Sequence, residues 1–395
     1  VGESHTHRGV GIVTTSSTRI VIIGGGLAGL HAAGLLGRYG ATDHVLLEAR
    51  ATPGGRIQSL TPQGPGCVRS GTRTHRIDLG PTWYWPTLQP ELDQLIGELG
   101  IKRFAQFEIG DTMLERSPNE APTRTFGFVN APPSVRLKGG MEALVDALRH
   151  GLTDGRIVLG QTVQAVNARG DHVDVVSRDR TGIVSTIRAQ QVLLAVPPRL
   201  AHTTISFSPR LPAAIARDWQ RTATWMAPHA KYVAVYDHPF WREAGLSGEA
   251  RSACGPLGEI HDASGPDGSA ALFGFFAVRA ADRRRVPEDV LIAHCRAQLG
   301  RLFGAQAASP REDRIKDWAT DALTATDADQ DAVGGHGGAP PATFTAGAWQ
   351  GRLFGIASEW SPQFPGYVAG AIEAARLGVQ ALLAQRPASP GSGLP

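Results

Sequence analysis

The stretch Arg19-Ile20-Val21-Ile22-Ile23-Gly24-Gly25-Gly26-Leu27-Ala28-Gly29-Leu30, followed by His44-Val45-Leu46-Leu47-Glu48, decides the fold. A short apolar run rich in β-branched residues is a buried strand, and this one ends in a glycine turn that opens an Ala/Gly-rich helix over residues 27–39. Gly24 permits the tight turn, Gly26 lets the backbone approach a pyrophosphate, and Gly29 lets the helix pack closely on the sheet. Amides at the start of that helix then face the phosphates. At the end of the second strand, the Glu48 carboxylate is placed to accept hydrogen bonds from both ribose hydroxyls of an adenosine, and it would repel a 2′-phosphate. The glycine pattern alone is weak in a chain with 48 glycines, but the strand before it, the helix after it and the acidic residue in place specify a dinucleotide-binding βαβ unit. At this point NAD and FAD are both open.

Glu48-Ala49-Arg50-Ala51-Thr52-Pro53-Gly54-Gly55-Arg56 continues the second strand into another glycine turn flanked by two arginines, which an NAD site does not require. Arg50 and Arg56 can neutralise the pyrophosphate of a larger dinucleotide while Gly54 and Gly55 let the chain pass close by. With this E-A-R-x-x-x-G-G-R motif matched without a gap, the chain resembles the flavin-dependent amine oxidase family of monoamine, polyamine and L-amino-acid oxidases.

The resemblance continues along the chain. Asp78-Leu79-Gly80-Pro81-Thr82-Trp83 is similar to the family's D-L-G-G-x-W, with Pro81 in place of the second glycine. Lys138-Gly139-Gly140-Met141 resembles its G-G-M return into the cofactor domain, and Val192-Leu193-Leu194-Ala195-Val196-Pro197-Pro198 its apolar strand ending in P-P. Near the C-terminus, Ala357-Ser358-Glu359 and Pro365-Gly366-Tyr367-Val368-Ala369-Gly370-Ala371 resemble G-x-E and G-Y-x-x-G-A. Ordered motifs over nearly the whole length are far more specific than any one of them.

The implied fold class is α/β: a discontinuous FAD-binding Rossmann-like domain of the GR2 type, plus an α+β substrate-binding domain with a mixed sheet. The motifs place the FAD domain at 18–86, 136–206 and 342–386 and the substrate domain at 87–135 and 207–341, with a disordered arm at 1–17 and a polar tail at 387–395. Period-two alternation in His172-Val173-Asp174-Val175-Val176 predicts a half-exposed sheet in the middle segment. In the substrate segments, Tyr232-Val233-Ala234-Val235-Tyr236 and Ala271-Leu272-Phe273-Gly274-Phe275-Phe276 read as strands and 287–303 as a helix.

Composition excludes several partners. The net charge of +3 arises from 39 basic and 36 acidic residues that are well mixed, so nothing favours nucleic acid. The run Arg283-Arg284-Arg285 reads as a solvated helix face. Cys67, Cys254 and Cys295 are odd in number and far apart, which suggests neither a disulfide framework nor a metal site. A reducing, cytoplasmic location and no membrane anchor are the expectation, since no apolar stretch is long enough to span a bilayer. Asp327, Asp329 and Asp331 imitate a calcium loop, but Ala332 and Gly338 stand where it needs glycine and glutamate, so the segment reads as a solvated acidic loop.

What the resemblance implies for chemistry rests on few residues. FAD would supply the redox chemistry, with an amine as substrate and dioxygen as acceptor. Lys231 matches the family lysine that holds a water beside the flavin, and burial there would lower its pKa. Tyr367 matches one wall of an aromatic cage for the amine, and the helix beginning at Val368 would stabilise negative charge on the flavin through its N-terminus. Glu359 matches a residue that bonds the ribityl or phosphate region, Val163 one that offers its backbone to the adenine, and Gly80, Trp83 and Trp318 lie in matched motifs.

The second cage wall is missing. Its place falls near Ala328, and Trp360, Trp83, Trp85 and Phe364 are substitutes whose commoner role is core packing. No cysteine falls where some relatives bond flavin covalently, and His336 sits in a Gly-Gly-His-Gly-Gly loop, so the FAD is expected to be non-covalent. A desaturase or porphyrinogen-type oxidase acting on a C–C bond, and a flavin-binding protein without turnover, are the alternatives. The sequence is silent on which amine is used and on oligomeric state.

Overall fold

Ile20–Ile23 is the middle strand of a five-stranded sheet in a computed structural model that describes residues 14–62, 76–127, 129–152, 156–330 and 338–385. Its order is Ile157–Leu159, His44–Glu48, Ile20–Ile23, Gln191–Leu194, Leu353–Gly355, with every pair parallel. Alternation along the strands fills two layers. Ile20, Ile22, Leu46 and Leu193 pack against the helices Leu27–Arg38, Glu142–His150 and Val368–Ala384. Val21, Ile23, Leu47, Val192 and Leu194 face the opposite side, where Trp219, Trp349 and Trp360 complete the core. A sheet covered on both faces needs continuous apolar strands, which is why these lack polar alternation.

The second layer is closed by another five-stranded sheet, ordered Thr14–Ser17, Val184–Ala189, Val173–Arg178, Thr162–Ala168, Ser206–Ser208. It shows the alternation expected of a half-exposed sheet: Val173, Val175 and Ser177 are buried while Asp174 and Val176 between them are only partly covered. Thr14–Ser17 corrects the expected arm. These residues pair in parallel with Val184–Ala189, because that strand's outer edge offers an unpaired row of amides and carbonyls. The rest of the arm, the tail beyond 385, Cys67, Asp331 and His336 lie outside the described residues.

A seven-stranded mixed sheet makes the other half of the molecule, ordered Glu312–Asp317, Ala230–Tyr236, Ala270–Phe276, Leu257–Asp262, Leu246–Ser252, Asp111–Glu115, Thr123–Thr125. Leu246–Ser252 and Asp111–Glu115 run parallel, the other neighbours antiparallel. Tyr232, Ala234 and Tyr236 point to one face, where the helix Glu288–Phe303 seats Cys295, Leu299, Leu302 and Phe303 on them. Val233 and Val235 point to the other, toward Leu60, Ile77 and Leu79. By the same period Lys231 belongs to this second face, which carries it toward the parallel sheet.

Two surface expectations are also corrected. Arg283 is buried: its guanidinium pairs with Asp317 through two bonds of 2.8 Å and donates to the carbonyls of Val278 and Pro228. Asp329 is 0% exposed and its Oδ1 accepts from Arg199 Nη1 at 2.6 Å and from Thr224 N at 2.9 Å, so the acidic segment is a staple that ties residues 326–330 to the helix Pro198–Thr204 and to the loop before the Lys231 strand. In both cases one member of a charged run has an opposite charge waiting across the fold, which no local pattern reveals.

Candidate active site

A cavity of ≈ 540 Å³ is lined by the glycine turns on one side and by Lys231, Tyr367 and their neighbours on the other. At the glycine end the geometry is set by backbone. Gly24 sits at φ +106°, and a Cβ there would fall 2.8 Å from the Ala195 carbonyl oxygen. Gly29 is packed against the Gly24 carbonyl, leaving no room for a side chain. A Cβ on Gly26 would meet nothing within 4 Å, so the bare backbone at the head of the Leu27–Arg38 helix faces the cavity. No side chain caps that helix and no acidic residue lies in its first turn, which leaves the N-terminal amides for an anion. The second turn lies alongside, with Gly54 N donating to Gly25 O at 2.8 Å and Gly55 at φ +60°.

Glu48 is buried at the end of its strand. Its Oε2 accepts from Gly25 N at 2.6 Å and its Oε1 from Arg50 N at 2.7 Å. Each oxygen keeps a lone pair, so the carboxylate holds the turn and still has capacity for two hydroxyls. Val163 lines the same end at a bulge, where pairing with the next strand shifts register between Val163 and Ala165.

The arginines are more constrained than the motif implies. Arg50 lines the cavity and donates to Asp321 at 2.9 Å and to Thr324 at 3.2 Å. Arg56 grips Glu359 through bonds of 2.5 and 3.0 Å and reaches Ser358 Oγ at 3.1 Å. Glu359 is itself buried and is not on the cavity wall, so it acts on the site through Arg56. The second-turn arginines are thus braced by carboxylates before any phosphate arrives.

At the other end, Lys231 is buried and its Nζ donates to three protein oxygens: Asp78 O at 3.0 Å, Gly80 O at 2.7 Å and Thr82 Oγ1 at 2.8 Å. The rings of Phe273 and Phe275 lie 4.3 and 5.4 Å from it. An ammonium has three protons, and all three are used here, so a water of the kind the resemblance implies would have to displace one of these acceptors. Burial pushes the Lys231 ammonium down to about 7 against the opposing charge of Asp78, with Arg136 adding to the fall. Burial likewise lifts Asp78 to about 6, partly countered by Lys231.

Trp83 and Trp318 frame this end. Trp83 Nε1 donates to Gln106 at 2.8 Å, and Trp318 Nε1 to Leu79 O at 3.2 Å. Tyr367 lies at the head of the helix Val368–Ala384, which has neither a side-chain cap nor an acidic first turn and lines the cavity with Val368 and Ala371.

Trp225 stacks on Tyr367, with centroids 6.2 Å apart and planes 29° from parallel. Both rings line the cavity, and no sequence motif singles out Trp225. Of the expected substitutes, Trp360 belongs to the core against Trp219 and Phe364 packs against the helical layer, whereas Trp83, packed on His261 and Phe273, and Trp85 both line the cavity. Trp225 is held by Gly366, where a Cβ would lie 2.8 Å from its Cγ, and by Thr224, whose amide donates to Asp329 at 2.9 Å. Met226 follows at φ +62°, a left-handed conformation uncommon outside glycine. His229, also unremarked in the sequence, lines the cavity. Its Nδ1 is buried without a hydrogen-bond partner among the described residues, and burial and Arg283 hold the imidazole below its usual pKa.

The family described as flavin containing amine oxidoreductase matches residues 119–383, more than half of the chain, and a NAD(P)-binding Rossmann-like domain matches 22–99. The chain belongs to the flavin-containing amine oxidoreductases. Among curated members of this family, it is 31% identical over 188 residues to the probable flavin-containing monoamine oxidase A of Dictyostelium discoideum, covering 46% of this chain and 39% of the relative. It is 31% identical over 273 residues to the putative flavin-containing monoamine oxidase AofH of Mycobacterium tuberculosis, covering 62% of this chain and 56% of that one. The matches thus span well under two thirds of either relative. A variant of putrescine oxidase shares the fold, with a TM-score of 0.74 and 20% identity over 94% of this chain and 100% of that one. Among the described residues no helix is long and apolar enough to cross a membrane.

For a flavin-containing family, the residues present fit FAD. An open backbone cradle at Gly26, an acceptor with spare lone pairs at Glu48 and an uncapped second helix terminus at Val368 all meet one cavity.

Proposed function

We propose that this chain is an FAD-dependent amine oxidase that converts an amine to an imine, which water hydrolyses to an aldehyde or ketone. The observation that carries it is the continuity of one cavity from Glu48 and Gly26 to Lys231, Tyr367 and Trp225. When bound, FAD supplies the hydride acceptor and hands the electrons to dioxygen, giving hydrogen peroxide.

The protein's share is binding and orientation. Glu48 accepts the adenosine ribose, the backbone of Val163 the adenine, and the turns at Gly24, Gly26, Gly29 and Gly55 admit the pyrophosphate with Arg50 and Arg56 beside it. Glu359 fixes Arg56. Gly80, Trp83 and Trp318 bound the reactive end, and the helix terminus at Val368 favours negative charge there. Tyr367 and Trp225 present ring faces to an amine, which a cationic or partly positive nitrogen favours. Cys254 and Cys295 do not line the cavity, which supports a dissociable cofactor.

Putrescine, benzylamine and other primary and secondary amines, offered to the purified yellow protein, test this. Peroxide release with at least one of them, and bleaching of the flavin absorbance under nitrogen, are expected. Release of peroxide by none would sink the reading, and acid-precipitated protein that keeps its flavin would sink the dissociable link.

A further inference from the structure

Resting on that function, we propose that Thr82 carries a proton from the ammonium of an incoming amine to Lys231. An alkylamine has a pKa near that of a lysine side chain, about 10.4, and reaches the protein as an ammonium. Hydride can leave the neighbouring carbon only when the nitrogen lone pair is free, so the site needs a base.

The candidates are few. Asp78 does not line the cavity: its carboxylate is turned to Met141 N at 2.8 Å and Ser59 Oγ at 3.2 Å. Glu48 belongs to the ribose end, and His229, which lines the cavity, is held below its usual pKa by burial and Arg283 and is a weaker base than a lysine. Lys231 is a base once neutral, and burial favours that form. Its Nζ is nevertheless screened by three oxygens, two of them carbonyls with no proton to give.

Thr82 Oγ1 is the third, 2.8 Å from Nζ on a residue that is buried yet lines the cavity. A hydroxyl has one proton and two lone pairs. With Lys231 neutral, its two N–H groups serve Asp78 O and Gly80 O, its lone pair accepts the Thr82 O–H, and the threonine oxygen turns a free lone pair to the cavity.

The step then balances. The substrate N–H breaks as a new Thr82 O–H forms, and the original Thr82 O–H breaks as its proton joins Lys231. One positive charge moves from the substrate to Lys231, and the resulting ammonium has one proton for each of the three oxygens around Nζ. Thr82 is the contact residue and Lys231 the proton store. The charges that act on Lys231 are Asp78 and Arg136; His229 stands just before its strand, and Lys316, its partner across the sheet, is bound to Asp321 at 3.1 Å.

The test follows anaerobic flavin reduction by saturating putrescine against pH in the holoenzyme, alongside thermal midpoint. In Thr82→Val the half-point should move up by at least about one unit, tenfold in rate at a fixed pH below it. Thr82→Ser should return it toward wild type, and Lys231→Met should show the same shift with none added in the double variant. Flavin content should not change. The thermal midpoint should rise with pH above about 7 in wild type and Thr82→Val but not in Lys231→Met, reporting the store independently of turnover. A Thr82→Val profile matching wild type, or a shift produced by His229→Asn and not by Lys231→Met, would overturn the relay alone. No reduction of wild type by any amine would overturn the relay and the function together.

Discussion

At one end the cavity is walled mainly by backbone from a single stretch, Gly24 to Arg56, and at the other by side chains from four separated segments carrying Thr82, Trp225 with Lys231, Trp318 and Tyr367. A backbone site needs only that certain positions lack a Cβ, so its requirements are written as a local pattern of glycines. A side-chain site needs rings and donors at points in space, and any segment that passes can provide them. The first end is therefore rigid in sequence and the second free to be rebuilt, as Trp225 on Gly366 shows.

Gly26→Val should have the largest effect. The added side chain meets open space, so the thermal midpoint should stay within a few degrees while FAD affinity falls more than about a hundredfold, or about 2.7 kcal/mol. Gly24→Val, at φ +106° against Ala195, should instead destabilise the fold. If both variants behaved alike by thermal melting and flavin titration, the backbone end would not be the cofactor cradle.

Glu48→Ala comes next. It removes an acceptor for the ribose and orphans two amides, so loss of charge-assisted bonds worth about 1.5 to 3 kcal/mol should weaken FAD binding roughly ten- to hundredfold. Full flavin retention after dialysis would contradict the assignment.

Much of this was legible in advance, for a reason these two variants probe. Gly24, Gly26, Gly29 and Glu48 are local signals, and the paired glycine turn after Glu48 carried the resemblance that pointed to flavin. Trp225 was invisible because its partner Tyr367 lies far along the chain and its support comes from Asp329 and Gly366, neither of which has a pattern of its own. Arg283 and Asp329 read as solvated in the sequence for the same reason: burial of a charge depends on a distant counter-charge. Thr82 fills a position where the motif allows any residue.

The side-chain end carries a pH signature of its own. The folded Lys231 loses its proton near 7, while the unfolded chain keeps it up to the ordinary 10.5, so the unfolded state binds more protons in that window and stability rises with pH across it. Asp78 acts with the opposite sign below: the folded state holds a proton up to about 6, the unfolded state only to 3.8, so stability falls as pH rises through that range. Thermal midpoints of wild type relative to Lys231→Met should rise between pH 7 and 9, and a flat difference would place Lys231 in a wetter site.

The smallest effect belongs to Trp225→Ala. An aromatic pair contributes about 0.5 to 1.5 kcal/mol, so KM for the best amine should rise about two- to tenfold with FAD content unchanged. A KM that stays put would return Trp225 to a packing role.

The order of the parallel sheet has a consequence for biosynthesis. Ile20–Ile23 lies beside Gln191–Leu194, made about 170 residues later, and that strand lies beside Leu353–Gly355, made about 160 residues later again. The helix Val368–Ala384, later still, packs across Leu27–Arg38. Contacts so distant in sequence make closure slow, and the early strands must wait with their edges unpaired. The cradle's glycine turns are encoded long before the strand that closes their sheet, so a ribosome-bound chain stalled before residue 353 should capture no flavin.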